Sequence, residues 1–123
     1  MSSIIESVGS YKDHVFVVKF HELGHRTGYV KLEPDDVYDD VYELEVHGGV
    51  TYHETTVPEV GQYLPPGTWI GFDCAHSWDK PDVHSCNKYF GKCLDDYNAP
   101  HAEIRDLDFC ENECRKLIDQ LVG

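Results

Sequence analysis

Only one stretch of this chain repeats with the period of a helix, and it lies at the C-terminal end. Leu107, Cys110, Cys114, Leu117 and Leu121 recur at steps of three and four residues, which places them on one stripe of a helix facing a core. Asp108 followed by Glu111 has the spacing of a capping box, with Asp in place of Ser or Thr, so the helix is expected over about 108–122. Everything upstream that is apolar comes instead in short runs of β-branched and aromatic residues. A single amphipathic helix beside several such runs defines an α+β domain, with a small, mostly antiparallel sheet and the C-terminal helix packed on it. At 123 residues there is material for one core and one domain, 1–123.

Two of the upstream runs pass directly into polar, glycine-marked sequence. Trp69-Ile70-Gly71-Phe72-Asp73-Cys74-Ala75-His76 reads as a strand. Strict alternation puts Asp73 and His76 on opposite faces, so they meet one ligand only if the strand bulges or ends between them. Tyr42 to Tyr52 reads as a strand pair, or as a strand broken at Gly48-Gly49, with His47, Gly49, Thr51 and His53 on one face and Val46, Val50 and Tyr52 toward the core. The chemistry is expected where these two segments meet.

The remaining segments are simpler. Residues 1–10 read as a lead-in or short edge element, and Val15–Phe20 as a buried strand. In Gly24–Leu32, extended geometry points His25, Thr27, Tyr29 and Lys31 one way and Arg26, Gly28, Val30 and Leu32 the other. The proline- and glycine-punctuated stretch 55–68 is a loop. Residues 77–100 show no sustained period and are expected to form a long irregular loop serving as a lid or binding segment.

Charge narrows the partners. Twenty-three acidic against ten basic residues leave a net −13, too few cations for a nucleic-acid stripe. One small anionic ligand needs only a few local donors and stays open, as does imitation of a polyanion. The acidic run Glu33–Glu45 lacks the glycine and the spaced glutamate of an EF-hand loop and reads as a solvated loop. No apolar run reaches the ~20 residues of a membrane span, and the N-terminus has no signal-peptide pattern, which points to an intracellular protein without a membrane partner. Five cysteines are an odd number for a disulfide framework and are expected as thiols or ligands.

Four chemistries compete for the polar residues. His47, Asp73 and His76, with His25 and His53 in reserve, can hold a divalent ion or act as acid and base. Cys74, His76, Cys110 and Cys114 can make a zinc set, although the helix cysteines also fall on its buried stripe. Cys74 as a nucleophile needs a base from another element. Gly48-Gly49 and Gly24–Gly28, with Arg26 and Lys31, can cradle phosphate, but no phosphate-loop or dinucleotide fingerprint is present.

Gly24-His25-x-x-Gly28-Tyr29-Val30, Val46-His47-Gly48-Gly49-Val50-Thr51-Tyr52, Trp69-Ile70-Gly71-Phe72-Asp73-Cys74-Ala75-His76-x-x-Asp79 and Cys114-x-x-Leu117-x-x-Gln120-Leu121 together resemble a group of small proteins of tailed phages and prophages. The resemblance covers about two-thirds of the chain. Its recurring polar set maps onto His25, His47, Thr51, Asp73, His76 and Asp79; where that group has a small residue and Gly-Asp after the third motif, this chain has Ser77-Trp78-Asp79. By analogy with accessory phage proteins, the resemblance implies a counter-defence protein in the cytoplasm of an infected host cell. Such a protein would capture a small nucleotide-derived immune signal. The expected contacts are stacking from Tyr29, Tyr52 or Trp69 and polar contacts from Arg26, His47, Thr51 and Asp73. Hydrolysis of the same ligand, by His47 and His76 beside Asp73, and docking of an acidic inhibitor on a basic protein are the alternatives. Cofactor, metal and oligomeric state, including a homo-oligomer, are left open.

Overall fold

The computed structural model describes residues 2–91 and 102–123. Five strands form one antiparallel sheet: β1 (Ser3–Tyr11), β2 (His14–His21), β3 (Arg26–Lys31), β4 (Tyr52–Glu54) and β5 (Trp69–Asp73), in the order β1-β2-β3-β5-β4. A parallel pair, β6 (Asp79–Lys80) and β7 (Glu103–Ile104), lies apart from it. Two helices follow the strands that feed them: α1 (Val83–Phe90) and α2 (Leu107–Leu121). The expected α+β architecture is therefore the observed one.

Helix α2 packs its predicted stripe on one face of the sheet. Cys110, Cys114, Leu117, Ile118 and Leu121 are buried against Phe16, Val18, Val30, Ile70 and Phe72. Full burial of a Leu or Ile side chain is worth roughly 1.5–3 kcal/mol, so this stripe is the main anchor of the helix. Its N-cap is Asp106, whose carboxylate accepts the Phe109 N–H at 2.8 Å, and not the expected Asp108. The opposite face buries Val17, Tyr29 and Trp69 beneath Val57 and Val60 of the loop 55–68.

Three local expectations need correction. Residues 3–11 are a full edge strand. Tyr42–Thr51 is not a strand: Asp40 caps a short 3-10 turn over Val41–Glu43, and Gly48 and Gly49 both take left-handed backbone angles (φ 70° and 83°). Side chains of α2 also claim this segment's amides, since Glu45 N–H donates to Gln120 Oε1 and His47 N–H to Glu113 Oε1. With these donors used locally, the segment forms no ladder until its end, where the Thr51 N–H donates to the Gly71 carbonyl of β5 at 2.9 Å. Finally, the expected loop 77–100 contains β6 and α1. Asp82 caps α1 by accepting the Ser85 N–H, and Gly91 ends it in the left-handed region. The rest of that expected loop, 92–100, lies outside the described residues.

Candidate functional site

Strand β5 stops at Asp73, and the turn that follows resolves the alternation problem seen in the sequence. Cys74 N–H still donates to the Arg26 carbonyl, and the chain then folds back so that Asp79 Oδ2 accepts the His76 N–H at 3.0 Å. Asp73 and His76 now share a side, with Asp73 Oδ1 3.7 Å from His76 Nε2. Thr51 Oγ1 donates to Asp73 Oδ2 at 3.2 Å and Ala75 N–H to its Oδ1 at 3.1 Å.

The centre of the site is Asp79, whose side chain is fully buried. His47 Nε2 lies 2.9 Å from its Oδ1 and His76 Nδ1 2.9 Å from its Oδ2. Arg105 Nε donates to Oδ1 at 3.0 Å. Burial alone would raise this carboxyl, but the His76 amide and ring, Arg105 and His47 outweigh it, so its pKa falls below the usual carboxylate value. The acid is held ionised.

Aromatic walls fix both imidazoles. His76 stacks flat on Trp78 at 4.6 Å between ring centroids, and His47 meets Phe109 edge-on at 5.2 Å and His76 at 5.6 Å. Arg105 lies over the Phe109 ring at 5.0 Å. The two side chains keep access to solvent, at 11% for His47 and 22% for His76, and Trp78 is exposed. Gly48 makes the approach possible: a Cβ there would sit 2.3 Å from His76 Cε1.

Of the eight residues expected to bind ligand, the structure gathers His47, Thr51, Asp73, His76 and Asp79. His25 borders the same turn, but its Nδ1 is engaged by the Cys74 carbonyl at 2.9 Å, as strand-end histidines often are. A recess of about 210 Å³ lined by His21, Leu23, His25, Thr27 and Ala75 opens beside it.

Arg26 and Tyr29 do not belong to the site. The Arg26 guanidinium is buried between Glu6 (Nε–Oε1 2.6 Å) and Asp82 (Nη1–Oδ2 3.0 Å), which raise its pKa further against the opposing effect of burial. Tyr29 and Trp69 are buried on the far face and Tyr52 packs edge-on against Tyr29, so none of the three is free to stack on a ligand there. Lys31 pairs with Glu33, and His53 is exposed beside Tyr42.

Of the readings open to the cysteines, the structure favours burial in the core. Cys74 and Cys110 sulfurs lie 3.6 Å apart inside the core with Cys114. The Cys74–Cys110 contact and burial drive the Cys74 thiol up, and burial does the same for Cys114, which disfavours a thiolate at either; all three cysteines are buried in the core as small apolar groups. Sequence reasoning missed Trp78, Phe109 and Arg105.

Fold and site together define a small α+β domain carrying two histidines on one buried aspartate. No protein-family model matches the chain, and no curated protein or solved structure matches it either.

Proposed function

We propose that the Asp79-centred cluster binds a small anionic, nucleotide-like ligand, and that the protein captures a nucleotide-derived immune signal for a phage in its infected host. The observation that carries the ligand reading is the convergence of His47, His76 and Arg105 on one buried carboxylate, beside the exposed Trp78 ring. Imidazole and guanidinium N–H groups not spent on Asp79 suit phosphate oxygens, an exposed indole suits a base, and the Thr51–Asp73 pair suits sugar hydroxyls. None of this requires a basic protein overall, so the net −13 is no obstacle to a single local site.

Hydrolysis of the same ligand is the second reading. Each imidazole commits one nitrogen to Asp79 and turns the other away from it, which is the disposition of a paired acid and base. Titrating the protein calorimetrically with cyclic oligonucleotides and mononucleotides, then releasing bound material by heat, tests both. Intact recovery is the expected result for capture, and cleaved products for hydrolysis. Failure to bind any of the panel, or binding that His47→Asn and Arg105→Ala leave unchanged, overturns the site assignment.

A further inference from the structure

We propose that His47 Nε2, His76 Nδ1 and one carboxylate oxygen of Asp79 form a three-ligand site for a divalent first-row metal ion such as Zn²⁺. These atoms lie within 4.8 Å of one another, and the two nitrogens each stand 2.9 Å from a carboxylate oxygen. Ligand atoms about 2.0–2.1 Å from a common tetrahedral ion are roughly 3.3 Å apart. The two nitrogens face different oxygens of the carboxylate, so gathering the set on one ion takes a turn of the Asp79 carboxylate and a closing of the ligand atoms from at most 4.8 Å toward that spacing.

Hydrogen bonding by itself does not require two imidazoles here. Asp79 Oδ2 is already served by the His76 amide and Oδ1 by Arg105. If each ring carries its proton on the other nitrogen, the two ring nitrogens present lone pairs to the Asp79 carboxylate, an arrangement that a cation between them would hold together. Ring tautomers are set by what the second nitrogen meets. For His76 the carboxylate on that side is Asp73, whose Oδ1 at 3.7 Å from Nε2 is within ion-pair reach and beyond a direct hydrogen bond, and which Thr51 and the Ala75 amide hold in place. A carboxylate behind a metal-binding histidine orients the ring and raises its basicity. Asp73 is then a positioning residue.

The surroundings fit a site that admits a small ligand. Trp78 and Phe109 lock the rings, Gly48 lets the two loops close on each other, and the solvent access of His76 leaves a coordination position open, as in catalytic and not structural zinc sites. Among the described residues Arg105 is the cation that touches Asp79, and Glu103 Oε2 at 3.1 Å from its Nη1 partly offsets it. Two imidazoles with a carboxylate, and no thiolate, favour Zn²⁺, Fe²⁺, Co²⁺ or Mn²⁺ over the softer ions. The inference uses the same residues as the nucleotide reading but does not rest on that ligand: an anionic oxygen would simply be the natural fourth partner of the ion.

The test uses the metal alone. The full chain is stripped with chelator and titrated with Zn²⁺ by calorimetry and with Co²⁺ by visible absorption. Expected are one ion per chain, the d–d bands of a four- or five-coordinate Co²⁺ ion, and a rise in melting temperature that chelator reverses. His47→Asn and His76→Asn, each checked for folding by circular dichroism, should abolish binding. Asp73→Asn should weaken it about 10–100-fold, and His25→Asn should leave it unchanged. No binding by the unaltered chain, full binding by His47→Asn or His76→Asn, or equal loss in His25→Asn overturns the proposal. Because no nucleotide is present, that failure is separate from failure of the ligand reading.

Discussion

Asp79 and Asp82 are three residues apart, both buried and both bound to an arginine, yet they anchor opposite kinds of centre. Asp82 accepts the Ser85 amide and hydroxyl and the Arg26 guanidinium, and Arg26 in turn is closed by Glu6, the Arg105 carbonyl and the Phe20 ring. None of those donors has a tautomer that moves its proton to another ring atom. Asp79 instead meets two imidazoles, whose protons can sit on either nitrogen and whose rings reach solvent. Burial and an ion pair do not distinguish a functional centre from a clamp; the chemistry of the donor does. The two are joined through residue 105, whose backbone carbonyl faces Arg26 while its side chain holds Asp79.

The hardest blow to this contrast would come from Arg26. Arg26→Met removes the cation between Glu6 and Asp82 and leaves two buried carboxylates without it, a loss expected to cost about 3–5 kcal/mol in urea unfolding. Metal and nucleotide binding, measured below the transition, should be unchanged. A mild loss of stability with abolished binding would instead return Arg26 to the ligand site and erase the distinction.

Gly48 and Gly49 sharpen the contrast at intermediate cost. Both hold positive φ, but a Cβ at Gly49 meets nothing within 4 Å, whereas one at Gly48 enters the His76 ring. Gly49→Ala should show the left-handed penalty alone, about 1–2 kcal/mol. Gly48→Ala adds overpacking of about 1–3 kcal/mol and should displace His76, so its ion affinity should fall while that of Gly49→Ala holds. Equal affinities in the two variants would show that the loop's closure on His76 does not matter to the site.

What was legible in the sequence follows from how long each signal runs. The α2 stripe spans four turns, and its periodicity survives any local accident; β2 and β5 are dense enough in β-branched and aromatic residues to declare themselves. Helix α1 fully buries only Cys86, and its Val83, Cys86, Phe90 spacing runs for just eight residues, too short to stand out beside the Asp82-x-x-Ser85 cap and Gly91 that bound it. The histidine pair was legible because the strand ends between Asp73 and His76, the condition that alternation itself imposed. Arg26 was misplaced although its own register argued against it: it alternates with Gly28 and Val30, which face the core under α2. Trp78 and Arg105 were not legible, because tertiary folding alone brings residue 105 to residue 79.

A third imidazole–carboxylate contact, His14 with Asp36, extends the contrast with the smallest effect. His14 Nδ1 donates to the Lys12 carbonyl at 2.7 Å, and Nε2 lies 2.6 Å from Asp36 Oδ1, both side chains being buried. With both nitrogens committed to acceptors, the ring is a clamp like Asp82 and not an adaptable group like His47. Burial lowers its pKa, but the Lys12 carbonyl and Asp36 more than compensate, so it titrates above its ordinary 6.5. A raised histidine stabilises the fold fully below the unfolded value and loses that contribution as pH rises through the folded one, at about 1.4 kcal/mol per unit of displacement. Melting temperature should therefore fall as pH climbs above about 6.5, and Asp36→Asn should flatten that slope while sparing ion binding at Asp79. An unchanged slope in Asp36→Asn would show that the pair is neutral in the folded state, and that imidazoles in this protein are not sorted into clamps and adaptable groups by the number of acceptors they face.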